Sequence, residues 1–270
     1  MARAKHEIIA LDESPVSVAF TRRRGSEGYL AWHEAMEIHF IRAGSGSYFV
    51  DGETVMFRSN SAVVIQPREI HRFVPVSGGR IEKACIMFNP GELDLPETFV
   101  KDLKKMRRYV GLAAEESGNM NQAVCRIIRE NKVRGPGWQP LVRVLLMEFL
   151  LRLKRSENNA LPCAPHQVVR RALGYIERHY ASPDFNIADL ADELNISERH
   201  LLRLFFKDIG MSIKHYVMQK RIFQAQRIIR SRPALKLEAV SEAVGFRQYT
   251  LFYRMFRNFT GVSPCVYVRF

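Results

Sequence analysis

Near its C-terminus the chain writes one helical phrase twice. Residues 200–212 read HLLRLFFKDIGMS and residues 251–263 read LFYRMFRNFTGVS, a repeat at fifty-one positions. Both fit R-x-F-x(4)-G-x-S, through Arg203, Phe205, Gly210 and Ser212, then Arg254, Phe256, Gly261 and Ser263. On a helix the first copy sets Leu201, Leu204 and Phe205 on one face and Arg199, Leu202 and Arg203 on another. The second sets Phe252, Met255 and Phe256 against Thr250, Tyr253 and Arg254. Each amphipathic stretch follows a shorter helical one across a tight turn, LNIS at 194–197 and VGFR at 244–247. Two helix-turn-helix hairpins of this kind constrain the C-terminal part to an all-helical unit.

The neighbouring signals agree. Asp184 or Asn186 is placed to cap a helix through IADLADEL, and Ser197 to cap ERHLLRLFFKDI, which Gly210 closes. A longer helix from Ile213 joins the two hairpins until Pro233 prevents its continuation. Upstream, residues 156–165 (SENNALPCAP) are polar, hold two prolines and interrupt helical periodicity, which marks them as a linker. It divides the chain into residues 1–155 and 166–270, and 270 residues suffice for two domains with a core each. From Val16 to Phe88 short alternating runs end in turn signals, as expected of an antiparallel sandwich or barrel. From Glu97 to Arg155 the pattern turns helical, with Val124, Ile127 and Ile128 on one face. The stretch from Pro140 to Lys154 is apolar nearly all round: Leu141, Val142, Val144, Leu145, Leu146, Phe149, Leu150, Leu151 and Leu153. Such a helix must be covered on more than one side, either within its own domain or by a second copy, and dimerisation through residues 97–155 is expected. The fold class is α+β in two domains.

Charge narrows the partner. The net charge is +13, and residues 199–270 hold 14 Lys/Arg against 3 Asp/Glu, whereas residues 166–198 sum to −3. A basic end on a mixed protein suits a polyanion. A helix lying in the DNA major groove needs an apolar face toward its partner helix and free arginines that can bond guanine O6 and N7. No apolar run is long enough to span a bilayer, and the first thirteen residues lack the pattern of a secretory signal. Cys85, Cys125, Cys163 and Cys265 form no C-x-x-C pair, which argues against a zinc finger or a disulfide framework and suits a reducing cytoplasm.

From Val168 to Phe270 the chain resembles the DNA-binding domain of the AraC/XylS transcription regulators. The resemblance runs through LADELNISERHLLRLF, RIFQAQRII and AVGFRQYTLFYRMFRNFTGVSPCVYVR. Its most specific part is G-F-x(9)-F-x(4)-G-x-S-P-x(2)-Y, through Gly245, Phe246, Phe256, Gly261, Ser263, Pro264 and Tyr267. The resemblance implies two helix-turn-helix units on one joining helix, entering successive major grooves of promoter DNA. By matching position, Arg199, Leu202 and Arg203 meet bases in one half, and Gln248, Tyr249, Thr250, Tyr253 and Arg254 in the other. Leu202 stands where a polar reader is common, so the first half is expected to read thymine methyls. Arg221 and Ala225, in the joining helix, are structural by the same comparison. RNA polymerase is the further partner the resemblance implies.

In the first half, G25-x5-A-W-H33-x3-E37-x6-G44 resembles the first cupin motif, with Ala31 in place of one histidine, and P67-R-E-I-H71 resembles the second, one residue short. A cupin-like β-barrel with flanking helices is therefore expected. Strand alternation sets His33, Glu37 and His39 on one face. Three uses of His33, Glu37, His39 and His71 stay open: hydrogen bonds to a small effector, a metal held by His33, Glu37 and His71 with open positions, or a satisfied polar core. Hydrogen bonding to an effector, a sugar by family precedent, is the expectation, with no resident cofactor and no catalysis. Trp32, Phe40 and Tyr48 are expected in the core. The competing class is a metal-dependent cupin isomerase or dioxygenase, which leaves the tandem hairpins without a role.

Overall fold

The computed structural model describes residues 14–24, 30–75, 80–157 and 165–268. The N-terminal thirteen residues, Gly25 of the first cupin-type motif and residues 158–164 of the linker, Cys163 included, lie outside the described residues.

Eight strands make two antiparallel sheets among the described residues. They are β1 (Val16–Arg24), β2 (Met36–Ala43), β3 (Gly46–Val50), β4 (Glu53–Phe57), β5 (Ser61–Ile65), β6 (His71–Pro75), β7 (Arg80–Phe88) and β8 (Tyr109–Gly111). One sheet runs β1–β7–β2–β5–β8 and the other β4–β3–β6. The expected barrel is thus two facing sheets, and among the described residues their hydrogen bonding does not close into a ring. Strand β8 falls where the pattern reads as helical. Three residues carry no period of their own, and Tyr109–Gly111 becomes a strand by pairing with Ser61–Val63 of β5.

Alternation on β2 separates two environments. Met36, Ile38 and Phe40 join a core with α1 (Glu97–Lys104), α2 (Ala114–Val133) and α3 (Trp138–Ser156). Ile41, from the opposite face, joins Tyr48, Val50, Phe57, Val63 and Ile65 between the sheets. Helix α3 starts at Trp138, two residues before Pro140, because a proline in the first turn forfeits no intrahelical bond. It buries Val142, Leu145, Leu146, Phe149, Leu150 and Leu153 on α2 and the larger sheet, while Leu141, Val144 and Leu151 stay exposed.

The C-terminal part holds α4 (Gln167–His179), α5 (Ile187–Glu193), α6 (Glu198–Ile209), α7 (Ile213–Ser231), α8 (Leu237–Ala243), α9 (Tyr249–Thr260) and α10 (Pro264–Tyr267). Its ends follow local chemistry. Asn186, Ser197, Ser212 and Ser263 each accept a backbone N–H in the first turn of the helix they precede. Gly210 and Gly261 end α6 and α9 in the left-handed conformation. In the turn between α8 and α9, Gly245 has φ +89° and a Cβ there would sit 2.6 Å from the Ala181 carbonyl oxygen, so only glycine fits.

The expectation of one core per domain fails at the boundary. Phe49 of β3 and Val74 of β6, with Leu30 and Ile70, lie in the same buried cluster as Tyr216, Phe223 and Phe259 of the helical domain. The outer face of the smaller sheet is apolar and needs a cover, and α7 supplies it. Tight approach fixes the contact: Gly52 has φ +94°, and a Cβ there would meet the Phe223 ring at 2.7 Å.

Candidate nucleic-acid interface and polar cluster

The two repeated phrases become α6 and α9, and each splits as its pattern requires. Leu201, Leu204 and Phe205 are buried, as are Phe252 and Phe256, with Met255 half-buried. Arg199, Leu202 and Arg203 are exposed on α6, and Gln248, Thr250, Tyr253 and Arg254 are exposed at the start and along the free face of α9. Tyr249 differs. Its ring is half-buried and packs on the helical core, 5.8 Å from the Phe252 ring, so it is anchored where its neighbours are free. Sequence reasoning passed over Phe206, which is 45% exposed one turn from Leu202 at 37%, so α6 offers an apolar pair beside its arginines. The signal was present in the spacing of the two residues.

The joining helix α7 is held rigidly. Arg221 is buried and donates from Nε to the Tyr180 carbonyl at 2.7 Å and from Nη2 to that of Ser182 at 2.8 Å, and Ala225 is fully buried beside it. Both serve structure, in keeping with the sequence comparison.

In the sheet domain Glu37, His33, His39 and His71 converge. Glu37 and His39 project from β2 toward the second sheet. His33 is not on a strand. It lies in the irregular segment ahead of β2, and the bond from its Nδ1 to the Ala35 carbonyl (2.9 Å) turns the ring inward. His71 enters from the first residue of β6, where Ala31 bridges to it. Glu37 Oε2 lies 3.1 Å from His33 Nε2 and 3.0 Å from His71 Nε2, and Oε1 lies 2.8 Å from His39 Nε2. Cys85 and Lys83, both of β7, complete the group: Cys85 Sγ donates to Oε1 at 2.8 Å, and Lys83 Nζ to the Tyr48 hydroxyl at 2.7 Å. These two were missed because only the strand register, which sets His39 opposite Cys85, reveals them.

Burial alone raises the Glu37 carboxyl, but the charge of His39 and hydrogen bonds from His33, His39 and His71 overcome it and hold Glu37 well below the usual carboxylate range. Burial pushes the His39 ring down to about 4 against the pull of Glu37. Phe40 and Tyr48 are fully buried, and Tyr48 stacks on His39 at 4.5 Å. Trp32 is half-buried against the helical domain, with the Arg230 guanidinium 4.9 Å from its ring.

Between cluster and DNA face lies the docked boundary, where β6 serves both sides. His71 points in to Glu37, and Arg72, the next residue, points out to α7. The Arg72 guanidinium donates to Gln219 Oε1 at 2.9 Å and to His215 Nε2 at 3.1 Å, and stacks 4.9 Å from the Phe259 ring. Thr54 and Tyr216 are joined at 2.7 Å, and buried Lys220 donates to the Gly52 carbonyl at 2.8 Å.

A double-sheet domain with a buried polar cluster, docked on two helix-turn-helix units that share one long helix, defines the class: a two-domain DNA-binding protein with an internal ligand-type site. Residues 20–150 match the family model described as an AraC-like ligand binding domain, and residues 190–269 match that of a helix-turn-helix domain. The chain belongs to the AraC family. It is 32% identical over 139 residues to the arabinose operon regulatory protein of Escherichia coli and 31% over 124 residues to the Msm operon regulatory protein of Streptococcus mutans. Those alignments span 52% and 46% of this chain and 47% and 42% of the relatives, so the chain spans about half the length of these two. A longer alignment, 24% identical, covers 90% of this chain and 84% of the arabinose operon regulatory protein of Salmonella typhimurium. Among the described residues no helix is long and apolar enough to cross a membrane, and Cys85, Cys125 and Cys265 are in no disulfide.

Proposed function

We propose that this chain is a sequence-specific transcription regulator, not an enzyme, whose DNA affinity is set by a small effector bound at His33, Glu37, His39 and His71. The observation that carries the proposal is the matched pair α6 and α9: each buries its apolar face in one shared core and presents Arg203 or Arg254 at the same place on the free face. The surrounding charge of +11 over residues 199–270 supports a polyanionic partner. On this reading Arg199, Arg203, Gln248, Thr250, Tyr253 and Arg254 meet bases or phosphates of promoter DNA, while Leu202 meets thymine methyls. The protein works in the cytoplasm as a homodimer, joined through the exposed stripe Leu141, Val144 and Leu151 of α3, and engages RNA polymerase at its promoter. Two relatives are named for an arabinose operon, which makes sugars the first effector class to screen.

The effector acts through β6. An occupied cluster moves His71, and Arg72 passes the displacement to α7, which carries both DNA-reading helices. This route runs through the docked boundary itself, from Arg72 to Gln219 and His215. An effector shifts the equilibrium only by its preference for one arrangement over the other.

The test is a mobility-shift assay of the full-length protein on its own upstream region. Affinity is expected to fall steeply with salt, and Glu37→Ala or His71→Ala is expected to abolish the effector's influence while leaving DNA affinity intact. Salt-independent binding refutes the DNA reading. A normal response in both variants moves the effector site elsewhere.

A further inference from the structure

The two copies of the repeated phrase differ just ahead of the reading helix. Ser197 and Gln248, fifty-one positions apart, are the N-cap residues of α6 and α9. The residues before them are Ile196, half-buried against the helical core, and Arg247, which is exposed. Only the second copy carries a charge at this position.

The turn that holds Arg247 is fixed against the loop between α4 and α5. Gly245 packs on the Ala181 carbonyl, and the buried Phe246 ring lies 5.6 Å from the Arg221 guanidinium, which in turn holds the Tyr180 and Ser182 carbonyls. On the solvent side of this junction Arg247 Nη2 donates to Asp184 Oδ1. Asp184 is tied into its loop by its backbone N–H, which donates to Ser182 Oγ at 3.3 Å.

The acidic segment 166–198 is paired with the basic segment 199–270 at Lys220–Glu177 as well, but there the Lys220 side chain is 3% exposed and confined to the seam. The Arg247 and Asp184 side chains are 67% and 78% exposed. An ion pair so open to water shifts an equilibrium by no more than about fivefold, so a stronger anion can take the arginine. A DNA phosphate is such an anion, because neutralising it releases condensed counterions. On the DNA-binding reading above, on which this inference rests, α9 lies in the major groove with its first turn toward the bases. The residue ahead of its N-cap then stands at the groove wall, among the phosphates.

We propose that Arg247 contacts a DNA phosphate beside α9 and that Asp184 is its built-in competitor. In the free protein the carboxylate occupies the guanidinium. On DNA the guanidinium turns to the phosphate, and Asp184, anchored in its loop, is left to water. Phosphate contacts carry no sequence information, so Asp184 lowers affinity for every DNA alike and sets its level, while Arg203 and Arg254 set the choice of site.

The test measures the affinity of the full-length protein for a duplex from its own upstream region and for a random duplex, by fluorescence anisotropy across a salt series. Arg247→Gln is expected to weaken both alike and to lower the slope of log affinity against log salt by about 0.9, the value for one phosphate. Asp184→Asn is expected to tighten both by about two- to fivefold. Asn186 rather than Asp184 caps α5, so this change spares the helix start. In the Arg247→Gln background the gain from Asp184→Asn is expected to disappear, which separates competition for one guanidinium from general repulsion between a carboxylate and DNA. A full slope in Arg247→Gln overturns the phosphate contact. A gain that persists without Arg247, or a loss of affinity on Asp184→Asn, overturns the competition. Salt-independent binding by the wild type refutes the DNA reading itself, whereas a steep wild-type slope that Arg247→Gln leaves intact refutes this inference alone.

Discussion

Arg72 offers the sharpest perturbation of the coupling between the halves. Arg72 is 7% exposed, with its guanidinium bonded to Gln219 and His215 and stacked on Phe259. Arg72→Met keeps the stem's packing and removes only the charged head. Hydrogen bonds from a charged donor contribute about 1.5–3 kcal/mol each, and a desolvated ring contact about 1–2 kcal/mol. Against these stands the cost of burying the guanidinium, which leaves a net stabilisation of the docked arrangement of about 2–4 kcal/mol. The docked-to-undocked ratio should then fall roughly 30- to 1,000-fold. Because one buried cluster joins the two domains, calorimetry of the wild type should show them melting together. In Arg72→Met the transition should drop by about 5–10 °C or separate into two. DNA affinity without effector should lose its dependence on the sheet domain, and the effector response should disappear. An unchanged single transition with an unchanged effector response would refute both the clamp and the β6 route.

Arg203→Ala and Arg254→Ala should each cost about 1–3 kcal/mol on the specific site and much less on random DNA, measured by competition binding. Equal losses on both would assign these arginines to phosphate. Val144, 64% exposed in the middle of the free stripe of α3, should tolerate aspartate in the monomer but not in a dimer. Sedimentation of Val144→Asp should therefore show half the wild-type mass at micromolar concentration, and a monomeric wild type would refute the interface. Gly245→Ala combines a left-handed backbone with a clash on Ala181, so its melting temperature should fall by the equivalent of about 2 kcal/mol or more. A neutral result would mean the hairpin turn relaxes freely.

Local rules carried the helical half. The serine caps, the closing glycines and the two-faced phrases act within a few residues of themselves, so they are visible in one dimension, and α6 runs from Glu198 to Ile209 as its pattern requires. Charge placement and the free faces of α6 and α9 are local in the same sense. Alternation along β2 made the shared face of Glu37 and His39 legible, whereas His33 joins them from the irregular segment ahead of the strand, which alternation does not reach. What needed the tertiary structure was every feature set by pairing or docking. Cys85 enters the cluster only through the β2–β7 register, and β8 exists only because β5 has an open edge. Arg72 reads as an ordinary surface arginine in a strand. It becomes a clamp because the apolar outer face of β3 and β6 takes α7 as its cover, and no pattern along the chain encodes which helix that will be.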